Sequence, residues 1–573
     1  MFNIARGRIN TWQVLGAVIF MIFQVVATLY IPNITSDIVN KGVITGDTNY
    51  IVHAGIKMVI VSLITVVVAF GNVLMASQAS QGLGRKLRSD LFKKILNFTH
   101  DEFDKFETAS LTTRTTNDVV QIQNVMIMML RMMIMAPIML IGASFMAYQK
   151  NAEMTKIFLI SIPILIIVTG LVMYFAVPLF KAMQKKTDRL NLVFREGLTG
   201  VRVIRAFRQD QFEQDRFKDA NADYTNNAVK VFTIVAIMFP VVTLVMSGTN
   251  VGITWLGAHY IANQSMEIGN MIAFMTYAMQ ILMSFMILSM VFVFVPRASA
   301  SAARIQEVFE TKSEIDVVAK PAKVSDEASL SFNDVNFRYS GAEKLALADL
   351  NFKVTKGQTL AIIGGTGSGK SSLINLIPRF YDAETGVVSL NGTDVKALST
   401  EDINSKVSMV PQKAFLFKGT IRDNMIYGKP DVTDDEIWHA LEIAQAADFV
   451  KDLDGQLDGE VEQAGDNFSG GQKQRLAIAR ALVKDASVYV FDDSFSALDF
   501  KTDLNLRTAL KNDEKISQAV VVIVGQRIST VADADQIVVL EDGKMVGLGT
   551  HQELKANNKT YQEIIDSQLK EGK

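Results

Sequence analysis

Three short stretches of this 573-residue chain hold residue types arranged for phosphate chemistry. Gly364-Gly365-Thr366-Gly367-Ser368-Gly369-Lys370-Ser371 follows the apolar run Thr359–Ile363 and fits G-x-x-x-x-G-K-[ST] at every fixed position. Glycines there let backbone amides turn inward around phosphate oxygens. Lys370 can neutralise the β- and γ-phosphates, and the Ser371 hydroxyl can ligate Mg2+. Val488-Tyr489-Val490-Phe491-Asp492 is a hydrophobic strand ending in a carboxylate, the usual way a second Mg2+-side ligand is held beside a phosphate loop. Phe468-Ser469-Gly470-Gly471-Gln472 opens an apolar-periodic helix, so its serine and glycine amides cap a helix N-terminus and form a second anion site. One nucleotide could scarcely use both sites together.

These motifs need a sheet and helices to hold them. From residue 329 onward, strand-like runs (Ser329–Tyr339, Leu350–Val354, Thr359–Ile363, Val488–Phe491, Val520–Val524) alternate with helical stretches, which predicts a mostly parallel sheet. Upstream the chain changes character. Hydrophobic residues make up 49% of the sequence while charged residues still reach 20%, so the two must be segregated. Ile9–Ser36, Met58–Gly84, Ile157–Phe180 and Ile268–Pro296 carry no charge, Val231–Met266 has only His259 ionisable, and Val125–Tyr148 is interrupted by a lone Arg131. Each can cross about 30 Å of hydrocarbon at roughly 1.5 Å per residue. The expected fold class is a membrane α-helical domain of six transmembrane helices with long cytoplasmic extensions, fused to an α/β P-loop NTPase domain. The boundaries expected are 1–310 for the transmembrane domain, 311–328 for a polar linker containing Pro321, and 329–573 for the nucleotide-binding domain.

Lys and Arg crowd residues 85–116 and 181–230, whereas the opposite side offers only Lys41, Lys57, Lys150 and Lys156. The long loops, the N-terminus and everything after helix 6 are therefore expected in the cytoplasm. Few Gly or Pro interrupt those loops, so they read as membrane helices continuing into water, with Asp101–Phe106 and Gly200–Phe207 near their tips. A net charge of -2 gives no basic excess for a nucleic-acid partner. The absence of cysteine excludes disulfides, Cys-ligated zinc, iron–sulfur clusters and thiol catalysis.

Together these residues resemble the ATP-binding cassette (ABC) exporters, over essentially the whole chain, and Ser469-Gly470-Gly471-Gln472-Lys473-Gln474-Arg475 is a very specific signature of that family. The resemblance implies two cassettes clamping two ATP molecules head to tail, with Mg2+, so that the signature of one chain closes over the phosphate loop of the other. It implies that Tyr339 stacks on adenine, that Gly364 and Thr366 to Ser372 cradle phosphate, and that Ser371, Gln412 and Asp492 hold Mg2+. Gln412, in Val410-Pro411-Gln412-Lys413, matches the glutamine that also contacts water and senses the membrane arms, and Ser496–Asp499 matches the D-loop. Helix 6, with Tyr277, Gln280 and Arg304-Ile305, resembles the bacterial multidrug branch, which implies a multi-pass protein of a bacterial cell membrane.

Two departures fall on the catalytic pattern. The family normally has glutamate after the strand-end aspartate, where this chain has Asp493, and a switch histidine after the Val520–Val524 strand, where it has Gln526. Asp493 is one methylene shorter, which leaves its carboxylate roughly 1 Å short of the attacking water, a misplacement able to cost about 10²-fold. Gln526 cannot carry the positive charge of a histidine. Either an active homodimer tolerates both changes, or this chain is the degenerate-site half of a heterodimer. The partner would then be a second homologous half-transporter with Glu after its Walker-B Asp and a switch His. Gln463 also replaces a family Glu before the signature.

In the membrane half, Met126, Met128, Met129, Met132, Met133, Met135, Met139 and Met146 gather in and before helix 3, and Met271, Met275, Met279, Met283, Met286 and Met290 in helix 6. Flexible thioethers suit a cavity that accepts many apolar shapes, and they also simply fill packed positions. Arg131, Met132, Met135 and Gln280 are the candidate cavity residues; for Arg131 the alternative is snorkelling to the inner interface. His259 reads as interfacial. The function expected is an ATP-dependent translocase exporting amphipathic or drug-like compounds from the cytoplasm or inner leaflet, in contact with membrane lipid. The alternatives are a lipid or peptide exporter, possibly homodimeric, and a regulatory or channel-type ATP-binding protein.

Overall fold

The computed structural model describes residues 2–312, 315 and 320–571; residues 313, 314 and 316–319 of the expected linker lie outside the described residues, as does the Met290 side chain. The chain divides into two compact units, Met1–Leu96 with Glu107–Thr311, and Asn97–Phe106 with Lys312–Lys573.

Six helices of the N-terminal unit are long and apolar enough to cross a membrane: Thr11–Val43, Thr48–Leu96, Thr108–Lys150, Ala152–Thr199, Asp210–Ala262 and Ile268–Leu288, the last running on to Glu310. Helices 2, 4 and 5, at 49, 48 and 53 residues, far exceed the ~20 residues a bilayer needs. Their surplus turns are the arms expected from the loop composition, and Val201–Ala206 is a short helix between two of them. Exposed Val66, Val67, Phe70 and Ile167 give these helices apolar outer faces that suit lipid. Inside the unit, Val25 and Leu29 of helix 1 pack with Met139, Ala143 and Ala147 of helix 3 and Phe274 and Tyr277 of helix 6. The buried Tyr277 hydroxyl donates to the Leu29 carbonyl at 2.9 Å, which satisfies the one polar atom in that contact.

Three single π-helical turns interrupt the spans, at Ile38–Val43, Arg114–Asp118 and Met129–Met133. Such turns insert one residue and rotate the faces beyond them. Asp118, at the end of the second, is buried and accepts from Arg304 Nε at 2.8 Å, from Arg304 Nη2 and from Ser301 Oγ at 2.9 Å.

The C-terminal unit is built on a ten-stranded sheet. In chain order the strands are β1 Ser329–Phe337, β2 Leu347–Thr355, β3 Thr359–Gly364, β4 Thr385–Leu390, β5 Thr393–Asp394, β6 Val407–Val410, β7 Gly419–Thr420, β8 Glu460–Val461, β9 Val488–Asp492, β10 Val520–Val524, β11 Gln536–Glu541 and β12 Lys544–Gly549. The sheet order is β5-β4-β1-β2-β12-β11-β3-β10-β9-β6, with β7 and β8 forming a separate pair. β11, β3, β10, β9 and β6 run parallel, and β10 is buried at every position, as a strand covered on both faces must be. β12 also pairs parallel with β2, so five of the nine pairings in this sheet are parallel; the expectation missed the antiparallel ones, β1 with β2 and with β4, β4 with β5, and β12 with β11. Two-residue turns, Asn391-Gly392 and Asp542-Gly543, have positive φ at both positions, the geometry that folds a strand directly back on its neighbour. Residues 97–106, which join helices 2 and 3, belong to this unit: the helix His100–Phe106 stacks His100 on Phe380 at 4.7 Å between centroids.

Candidate functional site: a nucleotide site at the strand ends

Because β3, β10, β9 and β6 are parallel neighbours, the segments that leave their C-terminal ends emerge along one edge, where open α/β sheets bind ligands. The phosphate loop leaves β3, Asp493 follows β9, Gln526 follows β10 and Gln412 follows β6. Register aligns them: Val524 pairs with Asp492 on one side and with Ile362 on the other, and Val410 pairs with Phe491. Residues up to 162 positions apart in sequence thus share one edge.

The phosphate loop is shaped for backbone approach. Gly367 and Gly369 take left-handed φ of 81° and 100°, which bring their amides inward, and Gly369 starts the helix Lys370–Asn375. A Cβ on Gly364 would lie 2.3 Å from the Leu540 carbonyl oxygen and 2.6 Å from Ser368 Oγ. Ser368 Oγ is buried with no hydrogen-bond partner among the described residues. Lys370 Nζ donates to the carbonyls of Gly364 at 3.0 Å and Gly365 at 2.7 Å, so it lies across the loop, and its burial lowers its pKa against the opposing pull of Asp493 and Asp492. Thr366 and Ser371 are exposed on the loop, and Ser372 is buried beneath it. Ser372 Oγ and Tyr339 Oη share a 2.7 Å hydrogen bond, and the Tyr339 ring packs edge-on to Tyr381, which fixes the aromatic face beside the loop.

Two carboxylates face this single lysine. Burial, then the charge of Asp493, pushes the Asp492 carboxyl up to about 6, against the opposing effect of Lys370. Burial also raises Asp493, opposed by its hydrogen bond from Gln412, the charge of Lys370 and its hydrogen bond from Gln526. Asp493 sits at φ 47°, a left-handed conformation that aspartate tolerates. Its Oδ2 accepts from Gln526 Nε2 at 2.8 Å and from Gln412 Nε2 at 3.5 Å, and its carbonyl accepts from Ser496 Oγ at 2.8 Å. Ser494 Oγ ties β6 to β9 by donating to the carbonyls of Val410 and Asp492. Ser494 carries no motif signal and Ser496 only that of the D-loop, and sequence reasoning assigned neither a contact with Asp493 or its strand.

This donor set fits Mg·ATP: an unpartnered buried hydroxyl and left-handed glycines at the loop, and more negative than positive charge beside it. Ser371, Gln412 and Asp492 would hold Mg2+, which when bound neutralises charge on the β- and γ-phosphates. The second candidate anion site stands apart. Ser469 caps the helix Gly470–Leu482 in a capping box with Gln472, whose side chain accepts from the Ser469 amide at 2.9 Å. Ser469 and Gly470 are exposed, Gly471 is half-buried, and among the described residues none of Ser469 to Gln472 bonds to the phosphate loop.

The membrane candidates are not gathered into one site. Arg131 and Met132 are exposed on the Met129–Met133 turn, Met135 packs on the core around Tyr277, and Gln280 Oε1 is buried without a partner among the described residues. Met126 and Met139 are core residues, whereas Met279 and Met283 are exposed. A cavity of about 440 Å³ at the loop joining helices 5 and 6 is lined by Asn40, Gln264, Glu267 and Asn270 and by none of the four candidates.

Comparison with known proteins agrees with this architecture. Residues 14–285 match the family model of the ABC transporter transmembrane region, and residues 347–496 match that of the ABC transporter. An uncharacterized ABC transporter ATP-binding protein of Mycobacterium tuberculosis is 40% identical over 99% of this chain and 98% of its own length. One of Bacillus subtilis is 34% identical over 96% of each. An ATP-dependent lipid A-core flippase of Desulfotalea psychrophila is 30% identical over 88% of this chain and 87% of its own. A bacterial Atm1-family ABC exporter solved with ATP bound shares the fold at a TM-score of 0.81 and 23% identity, over 97% of this chain and 98% of that one. The chain belongs to the ABC transporter family, as an exporter with fused transmembrane and ATPase domains.

Proposed function

We propose that this chain is one half of a heterodimeric, ATP-driven exporter of amphipathic or drug-like compounds, and that its own phosphate loop forms the slow one of two ATP sites. The contact between Gln526 and Asp493 carries this reading. Hydrolysis needs a carboxylate free to orient and deprotonate water and a group that stabilises charge developing on the γ-phosphate. Here the carboxylate is short, its Oδ2 is held by a neutral amide, and that amide brings no charge. ATP at this site acts mainly as glue between cassettes.

The exposed start of the signature helix supports the second half of the proposal. Its amides, aimed at the γ-phosphate of ATP on the partner's loop, complete a competent site there, built with the partner's Glu and switch His. The N-terminus and the ATPase domain lie in the cytoplasm of a bacterial cell, and apolar outer faces of the helices contact membrane lipid. A lipid cargo is the second reading, favoured by the likeness to the lipid A-core flippase.

The test is turnover by the co-expressed pair. Ser469→Arg places bulk and charge where phosphate oxygens dock and nearly abolishes hydrolysis, whereas Asp493→Asn has a much smaller effect. If Asp493→Asn stops hydrolysis as completely, the site is catalytic and the degenerate-half assignment fails.

A further inference from the structure

The helix Lys559–Glu571 carries Tyr561, Ile564 and Ile565 at i, i+3 and i+4, and these pack into a core with Ile363, Val531, Ile537 and Val539. The next position of that stripe is Gln568. The carboxamide at this half-buried position is aimed at backbone groups of the neighbouring loop. It has two partners there: Nε2 donates to the Gln526 carbonyl at 2.7 Å, and Oε1 accepts from the Ile528 amide at 2.9 Å. One side chain therefore grips the backbone on both sides of Arg527.

The segment it grips is anchored at its far end by the fully buried Val531, but its N-terminal end lacks a side-chain cap. Ile528–Val531 is a single helical turn, and its cap, Arg527, supplies no side-chain hydrogen bond. A turn of that length does not hold itself, and its first amides are orphan donors. Gln568 supplies the missing acceptor from the C-terminal helix. The residue it anchors by its carbonyl, Gln526, is the one whose side chain reaches Asp493.

We infer that Gln568 is a positioning residue of this chain's ATP site: it holds the switch loop so that Gln526 meets Asp493, and it makes the C-terminal helix part of the nucleotide machinery. The inference rests on the reading of this edge as an ATPase site.

The experiment compares the full-length chain with Gln568→Leu and Gln568→Glu by hydrogen exchange and by ATP hydrolysis. Leucine continues the apolar stripe, so the melting temperature is retained while exchange at the Ile528 amide rises about tenfold or more, the protection of one lost hydrogen bond. A protonated glutamic acid presents one donor and one acceptor as the carboxamide does, whereas the carboxylate loses the donor and faces the Gln526 carbonyl. By the reading that Gln526 restrains the Asp493 carboxylate, hydrolysis by Gln568→Glu relative to wild type is therefore several-fold higher at about pH 8 and returns toward the wild-type rate as pH falls toward the carboxylate range. A purely structural role has no such pH profile. Unchanged protection at Ile528 in Gln568→Leu, or a ratio that is flat with pH, overturns the inference. Wild-type chain that neither binds nor hydrolyses ATP would instead bring down the ATPase reading, with hydrogen exchange still deciding whether Gln568 holds the loop.

Discussion

Gln526 Nε2 donates to Asp493 Oδ2 at 2.8 Å, so the two residues that depart from the family's catalytic pattern are each other's partners. They lie 33 positions apart and meet because β9 and β10 are parallel neighbours in register. A glutamine amide and a short carboxylate make a neutral-to-charged hydrogen bond, and changing one alone leaves the other with a mismatched neighbour.

The first prediction follows from that pairing. The purified chain binds ATP but hydrolyses it slowly, and Lys370→Ala weakens the binding. Asp493→Glu with Gln526→His raises turnover by about 10²-fold, and each single change recovers much less than half of that gain on a logarithmic scale. Steady-state ATPase assays on the four proteins close the cycle; additive gains would show that the two residues act independently.

The second concerns pH. Asp492 is pushed up to about 6 from an ordinary 3.8, so its protonated form persists at pH values where a free aspartate is charged. If Asp492 holds Mg2+ as proposed, it does so as the carboxylate. Mg-dependent ATP binding should therefore weaken by up to tenfold per pH unit below about 6 and level off above it, and Asp492→Asn should flatten the profile. The same shift acts on nucleotide-free stability with the opposite sign. Below the ordinary value both folded and unfolded chains hold the proton and there is no effect. Between 3.8 and about 6 the unfolded chain ionises while the folded chain keeps the proton, so stability falls as pH rises through this window and levels off above about 6. Titration calorimetry and melting curves across this window read both.

A third prediction uses the unequal burial of an ion pair in the N-terminal unit. The Asp118 side chain is 3% exposed and that of Arg304 is 49% exposed. Arg304→Ala strands a buried carboxylate with only Ser301 beside it, at a cost of about 2–4 kcal/mol. Asp118→Ala leaves a guanidinium that water can reach, at a cost of about 1 kcal/mol. Thermal unfolding in detergent should rank Arg304→Ala as the less stable protein; the reverse order would mean that Arg304 does not carry the pair.

The fourth concerns cargo. Arg131 is exposed on a π-helical turn inside a membrane span and has no ion-pair partner among the described residues. A cationic side chain bordering the translocation path disfavours cationic cargo. Arg131→Met should raise transport of cationic compounds relative to neutral ones in vesicles while leaving ATP affinity unchanged. Equal transport of both classes by both proteins would place Arg131 at the inner interface.

How much of this was legible depends on how local each feature is. A phosphate loop is consecutive residues after a strand, so Gly364 to Ser371 declare it without a fold, and the charge-free runs declare the six membrane helices in the same way. The turns Asn391-Gly392 and Asp542-Gly543 were equally local, yet the parallel expectation read past them because the buried strands between them look alike in either direction. The π-helical turns have no local signature, since inserting one residue in a helix changes register without requiring any residue type. Contacts between distant residues were beyond sequence altogether. Asp118 and Arg304 are 186 positions apart, and Gln568 reaches Gln526 over 42. Composition determined which chemistry the chain could hold. Strand order and register decided which of its residues touch, because side-chain neighbours across a sheet are set by pairing between segments and not by any segment alone.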